Sequence, residues 1–177
     1  MSTKKKIYLL RHAQAASSFE YEDKDRPLTA LGKEQAAAIG KYINSHSLYP
    51  DKILCSSALR TQETLDNLGI DFGKTSISIE PRLYNADEKM LEQFFMALDD
   101  DVDSVLVIGH NPGLFHAAYA YSKESDNCAV FSYDLAMLCV FEAGFENWTD
   151  FSERKIRCLD IVHPNITTTP DFSSKFA

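Results

Sequence analysis

The chain has 177 residues, of which 45% are apolar and 25% are charged, a balance typical of one globular domain with its own hydrophobic core. Its 18 Lys and Arg residues face 26 Asp and Glu residues, so the formal net charge is -8. This negative charge disfavours a protein that binds nucleic acid or an anionic membrane, because both partners need a positive surface. It leaves room for a small basic pocket within an acidic surface.

The cysteines and the apolar runs indicate a cytoplasmic protein. Four cysteines (Cys55, Cys128, Cys139 and Cys158) are widely spaced and include no C-x-x-C pair. Three of them lie in apolar, strand-like runs, where a buried free thiol is the usual state. We therefore expect no disulfide framework, no metal site and no cofactor. No apolar run approaches the roughly 20 residues that span a bilayer, so we expect no membrane contact.

Strand-like and helix-like patterns alternate along the first half of the chain. The apolar run at residues 7–10 predicts a strand that is buried on both faces. Thr29 then fits the N-cap of a helix. Residues 53–55 predict a second short strand, after which Ser56 or Ser57 is expected to cap the next helix.

The same alternation continues in the second half. Residues 77–79 predict a third strand, and Asp87 fits the N-cap of a helix whose apolar side chains recur at i, i+3, i+4 and i+7. Residues 105–108 predict a further buried strand. Asn111 is expected to cap the helix that follows, with Pro112 at its first position.

The order of these elements predicts the fold class. Repeated strand–helix–strand units predict an α/β three-layer sandwich with a mostly parallel central sheet and helices on both faces. Two last strand-like runs, at residues 135–141 and 156–162, are expected to form an antiparallel edge of this sheet. We expect a single domain over residues 1–164 and a loose C-terminal tail over residues 165–177.

Four basic or titratable side chains follow the strands of this predicted sheet. Arg11 and His12 end the first strand, Arg60 lies in the first turn after the second strand, and His110 directly precedes a helix. Ligands of such folds bind at the carboxyl ends of the strands, so we expect these four residues to share one crevice. Guanidinium groups match phosphate oxygens and a helix N-terminus adds partial positive charge. The sequence therefore predicts a site for a phosphoryl group.

Each of these residues also has a purely structural interpretation. A single histidine at a strand end is more often a hydrogen-bonded structural residue than a catalyst. Arg11 could pair with one of the 26 acidic side chains, and Arg60 could be an ordinary exposed helix residue. We favour the functional interpretation because four such groups would rarely meet by chance at equivalent strand ends of an acidic protein.

The segments around these residues resemble the motifs of the histidine phosphatase superfamily. The segment LLRHA is similar to the Arg-His-Gly signature, with alanine in the glycine position. SSALRTQET is similar to the second-arginine motif, and GHNP to the second-histidine motif. The segments at residues 25–29 and 83–86 resemble the small bacterial phosphohistidine phosphatases of the SixA type. The resemblance keeps its order and spacing from residue 7 to about residue 115.

The resemblance implies a catalytic role for each of these side chains. His12 would be the nucleophile and form a phosphohistidine intermediate, which water then hydrolyses. An imidazole can do this near pH 7 if its other nitrogen donates to a fixed acceptor such as a backbone carbonyl. Arg11 and Arg60 would bind the phosphoryl oxygens, and Asn111 would complete the site. His110 would donate to the phosphoryl group or to the leaving group; from the sequence alone, the two histidines could exchange roles.

One position departs from the superfamily pattern. Many members carry a glutamate shortly after an Arg-Leu pair, whereas this chain has Asn85 there. An alkoxide leaving group needs a proton donor, but the imidazole of a phosphohistidine departs readily once it is protonated. The missing acid therefore favours phosphohistidine over an alkyl phosphate. Glu80, Asp87 or Glu88 could replace the acid, although Asp87 and Glu88 also suit the start of a helix.

The leading hypothesis is a metal-independent phosphatase that acts on phosphohistidine in proteins, such as a phosphotransfer domain, and that is a monomer by default. Such a short chain has little room for a lid, so an open crevice would admit a protein substrate. One alternative is a phosphatase for small phosphomonoesters, which predicts a working acid near Asn85. Another is a non-catalytic module that binds phosphate or a phosphoprotein, which would not need the pair of His12 and His110.

Overall fold

A computed structural model describes residues 4–123, 125, 128–152 and 155–165. The strands are β1 (Lys6–Arg11), β2 (Lys52–Ser56), β3 (Ser76–Glu80), β4 (Ser104–Gly109), β5 (Leu138–Ala143) and β6 (Ile156–Val162). The α-helices are α1 (Ala30–Ser45), α2 (Leu59–Asn67), α3 (Glu88–Met96) and α4 (Gly113–Ser122). All of the predicted tail beyond residue 165 lies outside the described residues, so the domain boundaries stay a prediction.

The six strands form one sheet in the order β3-β2-β4-β1-β5-β6. The four neighbouring strands β3, β2, β4 and β1 are parallel. β5 runs antiparallel to β1, and β6 runs antiparallel to β5. The predicted fold class, a mostly parallel sheet with an antiparallel edge, is confirmed.

The alternating side chains of β1 divide the core into two layers. Ile7 and Leu9 belong to the core that packs under α3 and α4, and Tyr8 and Leu10 belong to the core under α1 and α2. Successive side chains of a strand point to opposite faces of the sheet, so a continuous apolar run is buried on both faces. Helices therefore cover both faces of the sheet, as the sequence predicted.

Two predicted helix starts are confirmed by their hydrogen bonds. The Thr29 side chain accepts from the backbone N–H of Gly32 at the start of α1, at 3.0 Å. The Asp87 side chain accepts from the backbone N–H of Met90 at the start of α3, at 2.8 Å. Each cap satisfies a backbone donor that has no partner within its own helix.

The predicted cap of α2 is wrong. The N-cap is Ala58, whose side chain cannot accept a hydrogen bond. Ser56 instead places its hydroxyl 2.8 Å from a ring nitrogen of His110, and the hydroxyl of Ser57 is buried. Ser56 therefore contacts His110, which is distant in the chain, and does not cap α2 as its position before the helix had suggested.

The predicted cap of α4 is also wrong. α4 begins at Gly113 with Pro112 as its N-cap, and the Asn111–Pro112 peptide bond is cis. The amide of Asn111 donates to the backbone oxygen of Tyr133 at 2.9 Å. A Cβ atom on Gly113 would lie 1.9 Å from the backbone oxygen of Ala86, so glycine lets the start of α4 pack directly against that backbone.

The expectation of no disulfide is wrong for one pair of cysteines. Cys128 and Cys158 form a disulfide that ties the segment before β5 to β6, while Cys55 and Cys139 are free and buried. The two bonded residues are 30 positions apart, and only the folded edge of the sheet brings them together. The expectation that all four cysteines are free thiols therefore no longer supports a reducing compartment.

Two features concern membranes and metals. Within the part of the chain that the structure describes, no helix has the length and apolar character to cross a bilayer. The same residues contain no group of three or more His, Cys, Asp or Glu side chains arranged to ligate a metal ion.

Candidate active site

The carboxyl ends of three neighbouring strands, β2, β4 and β1, meet at one edge of the sheet. Arg11 pairs with Gly109 in the register of β1 and β4, and the backbone N–H of His12 donates to the backbone oxygen of Gly109. His110 follows Gly109 directly. The two imidazole rings therefore lie together, with their centroids 5.2 Å apart.

The hydrogen bond of His12 defines which of its nitrogens is free. Nδ1 lies 2.8 Å from the backbone oxygen of Ala13. A carbonyl oxygen only accepts, so Nδ1 carries the proton and Nε2 carries the lone pair. Burial of the ring, together with the nearby charges of Arg60 and Arg11, lowers the pKa of His12 to about 4. At neutral pH the ring is therefore neutral, with Nε2 available as a nucleophile.

The acceptor for His12 is itself held by α2. The backbone N–H of Ala13 donates to Oγ1 of Thr64 at 3.0 Å, and that hydroxyl donates to the backbone oxygen of Arg60 at 2.6 Å. Thr64 is fully buried. Thr64 therefore joins the turn after β1 to the helix that carries Arg60, a connection that sequence reasoning missed.

His110 has a different hydrogen-bond pattern. Its Nδ1 lies 3.4 Å from a guanidinium nitrogen of Arg60, and its Nε2 lies 2.8 Å from the hydroxyl of Ser56. Because a guanidinium only donates, Nδ1 carries the lone pair. Burial, together with the neighbouring His12 ring and the charge of Arg60, lowers the pKa of His110 to about 3. The predicted role as a donor to a phosphoryl group needs a proton on Nδ1, which the negative charge of that group would favour.

The two arginines are anchored by two different segments of the chain. Nη1 of Arg11 donates to the backbone oxygen of Tyr133 at 2.8 Å, and Arg60 donates to both the backbone and the carboxylate of Asp23. Arg60 is only 6% exposed, so it is not an ordinary surface residue of the helix. The Nε–H groups of both arginines are buried with no acceptor among the described residues. Each guanidinium thus keeps a donor beyond those its anchors use.

Tyr133 supports this arrangement from the segment before β5. Its backbone oxygen accepts from both Arg11 and Asn111, and its hydroxyl donates to the backbone oxygen of Leu9 at 2.7 Å. The ring is buried. Asn111 follows His110 in the chain, and its amide donates to the Tyr133 segment; its predicted role in substrate binding stays a prediction. Sequence reasoning missed Tyr133, because its partners are more than 20 residues away.

A carboxylate that sequence reasoning missed lies at the rim of the site. Asp23 belongs to the 3-10 turn Asp23–Asp25, which packs against α2. Its carboxylate accepts from the hydroxyl of Tyr84, from Arg26 at 3.0 Å and from Arg60 at 3.2 Å. These donors, Tyr84 first among them, lower the pKa of Asp23 to about 2. Its position just before the SixA-like segment at residues 25–29 was the signal that could have found it.

The acids expected to replace a glutamate at Asn85 are used elsewhere or lie at the sheet edge. Asp87 caps α3, and a carboxylate oxygen of Glu88 lies 3.5 Å from Nδ1 of His116. Glu80 ends β3, the edge strand, next to Ser56 in register. The carboxylate bound to Arg60 is that of Asp23, which precedes Arg60 in the chain, whereas the three expected acids follow it.

The chain matches one family model and is similar to proteins of two mycobacteria. The family model described as the histidine phosphatase superfamily (branch 1) matches residues 7–100. The uncharacterized protein Rv1276c of Mycobacterium tuberculosis is 33% identical over 103 residues, which are 58% of this chain and 63% of that protein. The match thus spans less than two thirds of that relative. The uncharacterized protein ML1117 of Mycobacterium leprae is 29% identical over 122 residues, which are 67% of this chain and 74% of that protein.

Solved structures share the fold over almost the whole chain. A proposed phosphohistidine phosphatase SixA from Nakamurella multipartitia has a TM-score of 0.77 and 26% identity, covering 91% of this chain and 96% of that one. Another, from Agrobacterium tumefaciens, has a TM-score of 0.75 and 27% identity, covering 91% and 99%. The protein histidine phosphatase SixA in complex with tungstate, at 20% identity and a TM-score of 0.69, shares the fold over 90% of this chain and 97% of that one.

Proposed function

Since this chain belongs to branch 1 of the histidine phosphatase superfamily and is of the SixA type, we propose that it is a phosphohistidine phosphatase that acts on proteins. The observation that carries the proposal is the state of His12. Its Nδ1 donates to the backbone oxygen of Ala13, which leaves a neutral ring with a lone pair on Nε2, and the charges of Arg60 and Arg11 act on this ring. Two solved relatives above 25% identity are described as proposed phosphohistidine phosphatases, which supports the choice of substrate.

The reaction has two displacements at phosphorus. In the first, Nε2 of His12 bonds to phosphorus while the bond between phosphorus and the substrate nitrogen breaks. In the second, water attacks the phosphorus, the bond to Nε2 breaks, and inorganic phosphate leaves. Arg11 and Arg60 bind the phosphoryl oxygens, on which the transition state spreads its negative charge.

The leaving group supports an N–P substrate over an O–P substrate. Asn85 occupies the position where many relatives carry an acid, and Asp87 and Glu88 are engaged at α3 and with His116. An imidazole that is already protonated on its other nitrogen leaves without help from an acid, whereas an alkoxide does not.

We propose a phosphotransfer domain or a similar phosphohistidine protein as substrate, a monomeric enzyme, and a cytoplasmic location.

Trapping the phosphoenzyme tests the proposal. The protein is mixed with a phosphohistidine protein and quenched in alkali, and the acid-labile phosphate is mapped by mass spectrometry. We expect the phosphate on His12, none in His12→Ala, and an unchanged yield in the matched control His116→Ala, whose side chain is about half exposed. Phosphate on His110 would exchange the roles of the two histidines. Turnover without a trapped phosphate would overturn the covalent mechanism.

Two comparisons separate this proposal from its alternatives. A phosphatase for small phosphomonoesters would turn over para-nitrophenyl phosphate or sugar phosphates faster than a phosphohistidine protein, and such a preference would reverse our ranking. A binding module would show no turnover at all, and its His12→Ala variant would still bind the phosphoprotein normally.

The reaction should proceed without a metal ion. Arg11 and Arg60 would supply the positive charge at the phosphoryl group, and both are near enough to His12 for their charges to lower its pKa. We expect that EDTA leaves the turnover of a phosphohistidine protein unchanged. Loss of activity in EDTA that a divalent metal restores would contradict this.

A further inference from the structure

The ionised carboxylate of Asp23 is held at the rim of the site by three donors. Its Oδ2 accepts from the hydroxyl of Tyr84 and, at 3.2 Å, from Nη2 of Arg60. Its Oδ1 accepts from Nη1 of Arg26 at 3.0 Å. With a pKa of about 2, this carboxylate is a hydrogen-bond acceptor at neutral pH and has no proton to donate. It therefore cannot replace the missing general acid.

Arg60 places this carboxylate next to the reacting centre. Its Nη2 lies 3.2 Å from Oδ2 of Asp23 and 3.4 Å from Nδ1 of His110. A phosphoryl group that binds this guanidinium is therefore a close neighbour of Asp23. His12 and Asp23 lie at different depths in the site, because His12 is 9% exposed and the side chain of Asp23 is 51% exposed.

This difference in depth places Asp23 on the side of the leaving group. In an in-line displacement the leaving group points away from the nucleophile. With His12 at the buried floor of the site, the leaving group points toward solvent, where the rim carries Asp23. A protein-bound phosphohistidine also has to enter from this side.

We infer that Asp23 accepts a hydrogen bond from the leaving imidazole of a phosphohistidine and thereby selects this substrate over phosphate esters. The inference rests on the proposed function. The reactive substrate carries a proton on the ring nitrogen that is not bonded to phosphorus. As Nε2 of His12 bonds to phosphorus, the electron pair of the breaking N–P bond returns to the substrate ring. A neutral imidazole leaves, and its N–H stays bonded to Asp23.

An ester gains nothing from the same carboxylate. Its leaving oxygen has no N–H to donate and becomes negatively charged, so a fixed carboxylate repels it. The ionised state of Asp23 is maintained by groups on every element that faces it: Arg26 from its own turn, Arg60 from α2, and Tyr84 from the segment after β3, with the neutral ring of His110 beyond Arg60. The selection therefore holds throughout the neutral range.

The test compares two substrates in Asp23→Asn. The substrates are a histidine peptide phosphorylated with phosphoramidate and para-nitrophenyl phosphate. A hydrogen bond to a charged acceptor is worth about 10- to 100-fold in rate, so we expect the ratio of kcat/KM for the peptide to that for the ester to fall by about that factor. The matched control is Asp25→Asn, which removes the same charge from an exposed side chain of the same turn and keeps the ratio.

The pH profile gives a second, independent readout. Asp23 favours the protonated form of the bound substrate imidazole, so its loss should move the alkaline limb of kcat for the peptide to lower pH. Tyr84→Phe, which keeps the carboxylate but removes one of its donors, should move the ratio in the same direction by a smaller factor. An alkaline limb that does not move would contradict the inference.

The outcomes distinguish this inference from the proposed function. A parallel change of both substrates in Asp23→Asn would mean that Asp23 only positions Arg60, and a larger loss on the ester would make it an acid; either result overturns the inference. If the unmodified protein does not hydrolyse the phosphohistidine peptide, the proposed function itself fails. An active protein with an unchanged ratio overturns the role of Asp23 alone.

Discussion

His12 and His110 lie side by side but have opposite tautomers, because their ring nitrogens face different partners. The Nδ1–H group of His12 donates to the backbone oxygen of Ala13, whereas the lone pair of Nδ1 in His110 accepts from Arg60. The nitrogen free to attack therefore belongs to His12. The sequence left the two roles exchangeable, and the hydrogen bonds favour the assignment that the family resemblance implied.

The titration of these two histidines tests whether their rings are neutral in the folded protein. Burial lowers the pKa of His12 to about 4 and that of His110 to about 3, from 6.5. We expect the ring C–H signals of both residues, assigned with His12→Ala and His110→Ala, to stay constant in NMR spectra between pH 8 and pH 5. A midpoint near pH 6.5 for His12 would mean that its ring is hydrated, and would weaken its case as a neutral nucleophile.

Among the secondary-structure elements, α2 connects Arg60 to the turn that orients His12. The guanidinium of Arg60 lies 3.4 Å from Nδ1 of His110, and one turn later Thr64 accepts from the backbone N–H of Ala13. Residues four positions apart lie on the same face of a helix, so one helix face supplies both the cation and the support for the nucleophile. The orientation of His12 therefore depends on how α2 packs against the turn after β1.

Replacement of Thr64 tests this link. Thr64→Val keeps the shape but leaves the buried N–H of Ala13 without an acceptor, which should lower the free energy of unfolding by about 1–3 kcal/mol. It should also lower kcat, because the turn that orients His12 is released. Thr64→Ser keeps the hydroxyl and is the control. Equal stability and equal kcat in the two variants would show that the hydroxyl has no such role.

For the whole molecule, the buried site makes stability depend on pH. An unfolded histidine with a pKa of 6.5 binds a proton below that pH, while folded His12 and His110 stay neutral down to about 4 and about 3. The unfolded state then binds more protons, so the free energy of unfolding falls as the pH falls. The carboxylate of Asp23, with its pKa lowered from 3.8 to about 2, adds to this loss only below about pH 4.

Denaturant unfolding at two pH values measures this effect. Between pH 7 and pH 5 we expect a loss of about 2 kcal/mol for each of the two histidines, a large share of the stability of an ordinary domain. The double variant His12→Gln, His110→Gln should lose correspondingly less over the same interval. The same loss in both proteins would place the titrating groups elsewhere.

Local sequence was enough to predict the features of this protein that depend on near neighbours in the chain. The apolar run of β1, the caps Thr29 and Asp87, and the four basic groups at strand ends are visible because periodicity and capping act within a few residues. The sheet rule then brings Arg11, His12, Arg60 and His110 to one edge without further information.

Which polar groups face one another at that edge depends on how distant segments of the chain pack together. Asp23 meets Arg60 across 37 residues and Tyr84 across 61, and Tyr133 meets Arg11 across 122. Ser56 and Asn111, which local rules assign to helix starts, contact His110 and Tyr133. Such choices follow from packing, because a buried polar group bonds to whatever partner the folded chain places beside it.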